Sequence, residues 1–201
     1  MHLLAAPCTK AQIWLLFYSP NSGDHWLNRL VAAFDGPFSH VEIAFDEKYG
    51  HEPWERDMLG SSIYQGETVF LQSKRYSRAG YVPISIEVTQ NQLERIRHYC
   101  HCQARQRVGF SAAAMYLSYL PVQLYRDHWG GTFCSKHVTA ALQEASVDTV
   151  AGLNSSLVTP SSLYRHVACS RASPIVQVVP HRLQGGASTE WGAKMMAHIM
   201  A

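Results

Sequence analysis

Apolar and polar positions change period several times along the chain, and each change marks an element. Residues 13–18 form an unbroken apolar, aromatic-rich run closed by Pro20, Asn21 and Gly23. A run that short between turn residues predicts a buried strand. Asp24 is placed to cap a helix, and Trp26, Leu27, Leu30, Val31 and Phe34 then recur at helical spacing until Asp35-Gly36-Pro37 ends it. At His40 the period drops to two. In HVEIAF, Val41, Ile43 and Phe45 take one face, and His40, Glu42 and Ala44 take the other. Residues 46–60 are polar, with Gly50 and Pro53, and read as a loop. SIYQGETVFL at 62–71 predicts a second strand, and YVPISIEV at 81–88 a third, where Pro83 implies an edge or a bulge. Three strands on short links predict an antiparallel meander.

The second half reads as helical. Thr89 opens a helix whose Leu93, Ile96 and Tyr99 or Cys100 form one stripe, and Gly109 breaks it. Residues 111–120, rich in Ala, Met, Tyr and Leu, predict a buried helical segment ending before Pro121. Over 132–145, Cys134, Val138, Ala141, Leu142 and Ala145 share a face. Thr159-Pro160-Ser161 is a helix start: Thr159 caps, and Pro160 takes the first position, where a missing N–H costs nothing. A last strand is expected at 174–180, followed by a Gly-rich tail. This divides the chain into one domain, 1–180, and a C-terminal tail, 181–201, that is disordered or a short amphipathic helix around Trp191.

Composition narrows the function classes. A chain of 201 residues, 47% hydrophobic, is long and apolar enough for one full core. A net charge of +2 with no basic run argues against nucleic acid. No stretch approaches the ~18 apolar residues of a membrane span, and the N-terminal segment lacks the order of a secretory signal. The cysteines are five, an odd count at irregular spacing, so the thiols are expected to be reduced in a cytoplasmic setting. HYCHC at 98–102 places His98 and Cys102 one helical turn apart, but Cys100 and His101 point elsewhere, so no metal and no other cofactor is expected.

The candidate chemistry sits in GGTFCSKHVTAAL, 130–142. Cys134 stands where a helix begins, and a helix N-terminus carries partial positive charge and unpaired N–H groups. That setting favours a thiolate nucleophile and can bind an oxyanion. The alternative is a small buried residue on a core-facing stripe. Gly131 and Thr132 lead into the helix and are candidates for the oxyanion site or cleft, and Gly130-Gly131 would let substrate backbone approach. Trp129, ending the polar-aromatic segment 125–129, is a candidate for the cleft rim. A nucleophilic thiol needs a base. His40, at a strand end, is held rigidly yet close to the rim.

FDGPFSHVEIAF, SIYQGETVFL, TFCSKHVTAALQ and LNSSLVTPSSLYRHV together resemble the circularly permuted branch of the NlpC-like papain-fold superfamily, which includes lecithin retinol acyltransferase-like proteins. The histidine precedes the cysteine, which is the permuted order, and the resemblance covers roughly residues 12–168. It implies an α+β fold, an antiparallel sheet packed on helices, with Cys134 as nucleophile and His40 as base. A third polar residue would orient the imidazole. An antiparallel hairpin would bring 65–67 opposite His40, so Gln65 and Glu67 rank first and His51 behind them. Glu42 lies two along the same strand and is expected to reach His40 less well.

These readings converge on a cysteine hydrolase of peptidase or amidase type, acting through an acyl-enzyme on a peptide, amide or ester. A lipid or protein acyltransferase of the same fold, and a degenerate papain-like binding domain, are the alternatives.

Overall fold

The computed structural model describes residues 10–21, 23–24, 26–45, 51–119 and 130–170. The sequence expectations at 125–129, including Trp129, and at 174–201 lie outside them. The described chain is a mixed α+β structure in which five antiparallel strands pack against helices. The strands are β1 (Lys10–Tyr18), β2 (His40–Phe45), β3 (Met58–Ser62), β4 (Phe70–Lys74) and β5 (Tyr81–Thr89). The helices are α1 (Trp26–Asp35), α2 (Gln90–Arg105), α3 (Ala112–Leu117), α4 (Cys134–Glu144) and α5 (Pro160–Ser170). Among the described residues, no helix is long and apolar enough to cross a membrane.

Alternation along the central strands decides the layers. Ile13, Leu15 and Phe17 of β1 and Val41, Ile43 and Phe45 of β2 point into the main core, where α2, α4 and α5 supply Leu93, Ile96, Val138, Leu142 and Leu163. Trp14 and Leu16 turn to the opposite face and pack with Ala44, Met58 and Tyr76 in a smaller cluster. All six residues of β2 are buried, so its polar face is covered by protein rather than solvated.

The sheet order is β4-β3-β2-β1-β5, with β5 paired along all of β1. Pro83 is accordingly on an edge strand, where a missing ladder N–H is tolerated. Two expectations are corrected. The strand expected over 62–71 is in fact the end of β3, a turn and the start of β4: Glu67 N–H bonds back to Tyr64 O at 3.1 Å, and Gly66 takes φ +78°. The expected meander is corrected as well: β2, β3 and β4 are neighbours in turn, β3 beginning inside the stretch read as loop, but 81–89 crosses to the far edge of the sheet and pairs with β1 instead of β4.

The helix starts follow their sequence signals. Thr89 and Gln92 form a complete capping box on α2, an arrangement worth about 1 kcal/mol at the cap. Thr159 Oγ1 accepts from Ser162 N–H at the start of α5. Asp24, expected to cap α1, holds its carboxylate on the Asn21 N–H and the Tyr18 hydroxyl. In α1 Val31 is buried, but Trp26 and Phe34 are exposed. In α3 only Ala114 is buried, so the segment is a half-covered turn of helix rather than a core element.

Candidate active site

α4 begins at Cys134, and its N-cap, Phe133, is extended and provides no side-chain cap. Among the described residues no side chain caps the first-turn N–H groups, and the thiol sits in their partial positive field. Ser135 Oγ donates to Val158 O at 2.6 Å and anchors that first turn. Upstream, Thr132 N–H donates to Gly109 O at 3.0 Å, and Thr132 O accepts from Ser111 N–H at 2.8 Å. Gly131 has φ +95°, and a Cβ there would lie 2.6 Å from Gly109 O. Its glycine requirement is thus internal: it lets the chain pass close to residue 109, not a substrate pass close to the chain. Thr132 is buried and its backbone groups are already paired, so it braces the approach to Cys134 and does not offer an oxyanion donor.

His40 begins β2, which packs beneath α4. The turn before it is held by α5: Ser161 Oγ accepts from Phe38 N–H at 3.2 Å, and Asp35 Oδ2 accepts from Ser161 N–H at 2.8 Å. Asp35 Oδ1 also takes the Thr159 hydroxyl. The Thr-Pro-Ser helix start therefore fixes the end of α1 and the entry to the histidine strand together.

The imidazole of His40 is buried between Cys134 and Glu42. Burial alone would lower its pKa. Contact with Cys134 and Glu42, and their negative charge, outweigh burial and push it up to about 9. Nε2 lies 3.5 Å from Glu42 Oε1, an ion-pair distance, with no closer partner among the described residues.

Glu42 is fully buried and multiply bonded. Oε1 accepts from Tyr64 Oη at 3.0 Å, Tyr81 Oη at 2.7 Å and Lys74 Nζ at 2.8 Å. Oε2 accepts from Tyr76 Oη at 3.0 Å and lies 2.6 Å from Lys74 Nζ. Burial would raise the carboxyl pKa; contact with His40 and then the charge of Lys74 hold it down to about 2. Lys74 in turn lies over the rings of Tyr76 and Phe70, at 4.9 and 5.2 Å. Burial and the Glu42 charge raise the pKa values of all three tyrosines, so their hydroxyls remain donors.

His40 and Cys134 line a common cleft of about 340 Å³ with Asn28 and Val31 of α1, Ile63, Tyr64 and Gln65 of the β3–β4 turn, and Phe110 and Met115. Gln65 reaches the cleft wall but is exposed and lies in the turn, not on a strand facing His40. Glu67 is exposed at the same turn and makes no contact with His40. Both are therefore corrected as partners of the imidazole. His51 is a half-buried residue 3.5 Å from Glu55, with which it makes its ion pair. Glu42 holds the place these three were expected to fill. Extended residues two apart share a face, and the two long side chains close the gap at the strand end.

His98 Nε2 and Cys102 Sγ do meet, at 3.5 Å, but among the described residues no group of three or more His, Cys, Asp or Glu is placed to hold a metal ion. Compared with family models, curated proteins and solved structures, the chain finds no match.

Proposed function

We propose that the protein is a thiol hydrolase of circularly permuted papain-like architecture, cleaving an amide or ester through Cys134, with His40 as base and acid and Glu42 as the residue that orients the imidazole. The observation that carries this reading is the contact of His40 with both Cys134 and Glu42 in one cleft. Order in sequence, histidine strand before cysteine helix, supports the permuted form.

The chemistry follows from the charges. The Cys134 thiolate, formed by proton transfer to His40, attacks the substrate carbonyl carbon. A C–S bond forms and the carbonyl electrons move to oxygen, where the uncapped N–H groups of α4 stabilise them. The tetrahedral species collapses, the C–N or C–O bond breaks, and the leaving group takes the proton from His40. Water, deprotonated by His40, then attacks the thioester. The C–S bond breaks, and a carboxylic acid leaves. Glu42 stays ionised throughout and stabilises the imidazolium. A degenerate binding domain is the weaker reading, because a buried carboxylate occupies the position of the third residue.

Incubation with an activated ester, followed by intact mass and peptide mapping, tests this. An acyl adduct on Cys134 that decays in water and is absent in Cys134→Ser is the expected result. Adduct release only after a lysophospholipid or amine is added would reassign the protein as an acyltransferase. Absence of any adduct with a panel of esters and peptide amides would overturn the reading.

A further inference from the structure

Tyr64 touches His40, Glu42 and Lys74 of the candidate site together. Its ring stacks on the His40 imidazole, with centroids 4.8 Å apart and planes at 24°. Its hydroxyl donates to Glu42 Oε1 at 3.0 Å and accepts from Lys74 Nζ at 3.1 Å. The opposite side of the ring stacks on Phe70 of β4, at 5.1 Å and 18°. The residue is also 40% exposed and lines the cleft. A tyrosine serving the core alone would be covered; one serving the surface alone would not stack on a buried histidine.

The placement has a backbone cause. In the β2–β3 ladder Ile43 pairs with Ser61. Continuing that antiparallel register past the end of β3 brings residue 64 opposite residue 40. The turn at 64–67 then leaves Tyr64 on the rim of the sheet, its body against the imidazole and its edge in the cleft.

Resting on the hydrolase reading above, the geometry points to Tyr64 as a positioning residue that holds His40 in register with Glu42 and Cys134 while its ring forms the cleft wall. Two separable interactions do this. The ring fixes the imidazole plane by stacking, and excludes water from that face. The hydroxyl supplies one of the donors that share Glu42, and so limits how strongly the carboxylate holds the imidazolium. The two can be removed one at a time.

The test compares the wild-type chain with Tyr64→Phe and Tyr64→Leu, reading ester hydrolysis and the pH profile of Cys134 alkylation by iodoacetamide. Tyr64→Phe keeps the ring. Its kcat should fall ~10-fold or less with KM nearly unchanged, and the alkaline limb of the alkylation profile should move to higher pH by ~0.5 unit, because Glu42 loses a competing donor. Tyr64→Leu loses both interactions. Its kcat should fall ~100-fold, and the alkaline limb should move down towards that of a free imidazole near ~6.5. Near-UV circular dichroism checks folding, and if Tyr64→Leu does not fold, Tyr64→Phe alone decides. Unchanged limbs and kcat in the folded variants would overturn the inference and leave the hydrolase reading standing. Wild-type Cys134 that shows no alkylation advantage over Cys169 would overturn the reading, and the inference with it.

Discussion

Helix α4 carries two residues that each belong to a Cys–His site, one turn apart, and the sites behave in opposite ways. Cys134 faces His40 at the cleft, and His137 faces the core. His137 Nε2 lies 3.0 Å from Ser61 Oγ, whose own hydroxyl donates to Phe70 O at 2.9 Å. The proton of this imidazole is therefore on Nε2, and Nδ1 has no partner among the described residues. Cys100 completes the group through Ser61, and burial pushes its thiol up to about 12. With no counter-charge beside it, burial lowers His137 to about 4, whereas Cys134 and Glu42 raise His40 to about 9. Both histidines are buried. What separates them is an anionic partner and an opening, so a cysteine, a histidine and a hydroxyl brought together do not make a nucleophile unless charge is stabilised there.

The largest break in this comparison should come from removing the base. His40→Ala should lower hydrolysis by ~10²–10⁴-fold. Cys100→Ala should leave hydrolysis essentially unchanged, because that thiol stays protonated and enclosed. Glu42→Gln is expected to cost less than His40→Ala, roughly 10–100-fold, since the imidazole stays in place but loses its anionic partner and Lys74 is left uncompensated. Steady-state kinetics on the three variants would check the order; a Cys100→Ala loss matching that of His40→Ala would erase the distinction between the sites.

The two histidines should also tilt stability in opposite directions with pH. His137 has a folded pKa below the unfolded value of ~6.5, so its contribution is full above that pH and is lost as pH falls towards 4, by roughly 3 kcal/mol over the window. His40 has a raised folded pKa, so its contribution is full below ~6.5 and is lost as pH rises through about 9. Glu42, held down to about 2, contributes above its ordinary range and loses that contribution only below it, so pH 6.5 to 4.5 separates His137 from Glu42. Urea unfolding across pH should show the acid slope flattened in His137→Gln, and the alkaline slope flattened in His40→Ala.

How these sites were written in the chain differs as much as their chemistry. Cys134 and the Thr-Pro-Ser start of α5 were legible because a helix terminus is specified by neighbours in sequence. His40 was legible as a strand end for the same local reason. Glu42 is hard to read from sequence because its surroundings are not local: Lys74 and Tyr81 reach it from β4 and β5, and Tyr64 and Tyr76 from the turns after β3 and β4. Gln65 and Glu67 were misplaced because 62–71 alternates well enough to read as one strand. Gly66 in YQGE, at φ +78°, was the signal that the chain turns there. At Gly131 the sequence showed a glycine but not what approaches it, which is a carbonyl from residue 109 rather than a substrate.

That last point carries the smallest effect. Gly131→Ala would place a Cβ 2.6 Å from Gly109 O at φ +95°. It should destabilise by ~1–3 kcal/mol, seen as a lower thermal midpoint, while substrate KM changes little in the folded fraction. A raised KM at unchanged stability would return Gly131 to the substrate path.

Competitive labelling of the cysteines tests most directly whether Cys134 is activated by its surroundings and not merely buried by them. Cys134 is 6% exposed, and Cys169 is exposed on α5. With limiting iodoacetamide near neutral pH and peptide mapping of the native chain, Cys134 should be modified ahead of Cys169, and His40→Ala should remove the lead. Labelling that follows exposure, Cys169 first and Cys134 last in both proteins, would contradict it.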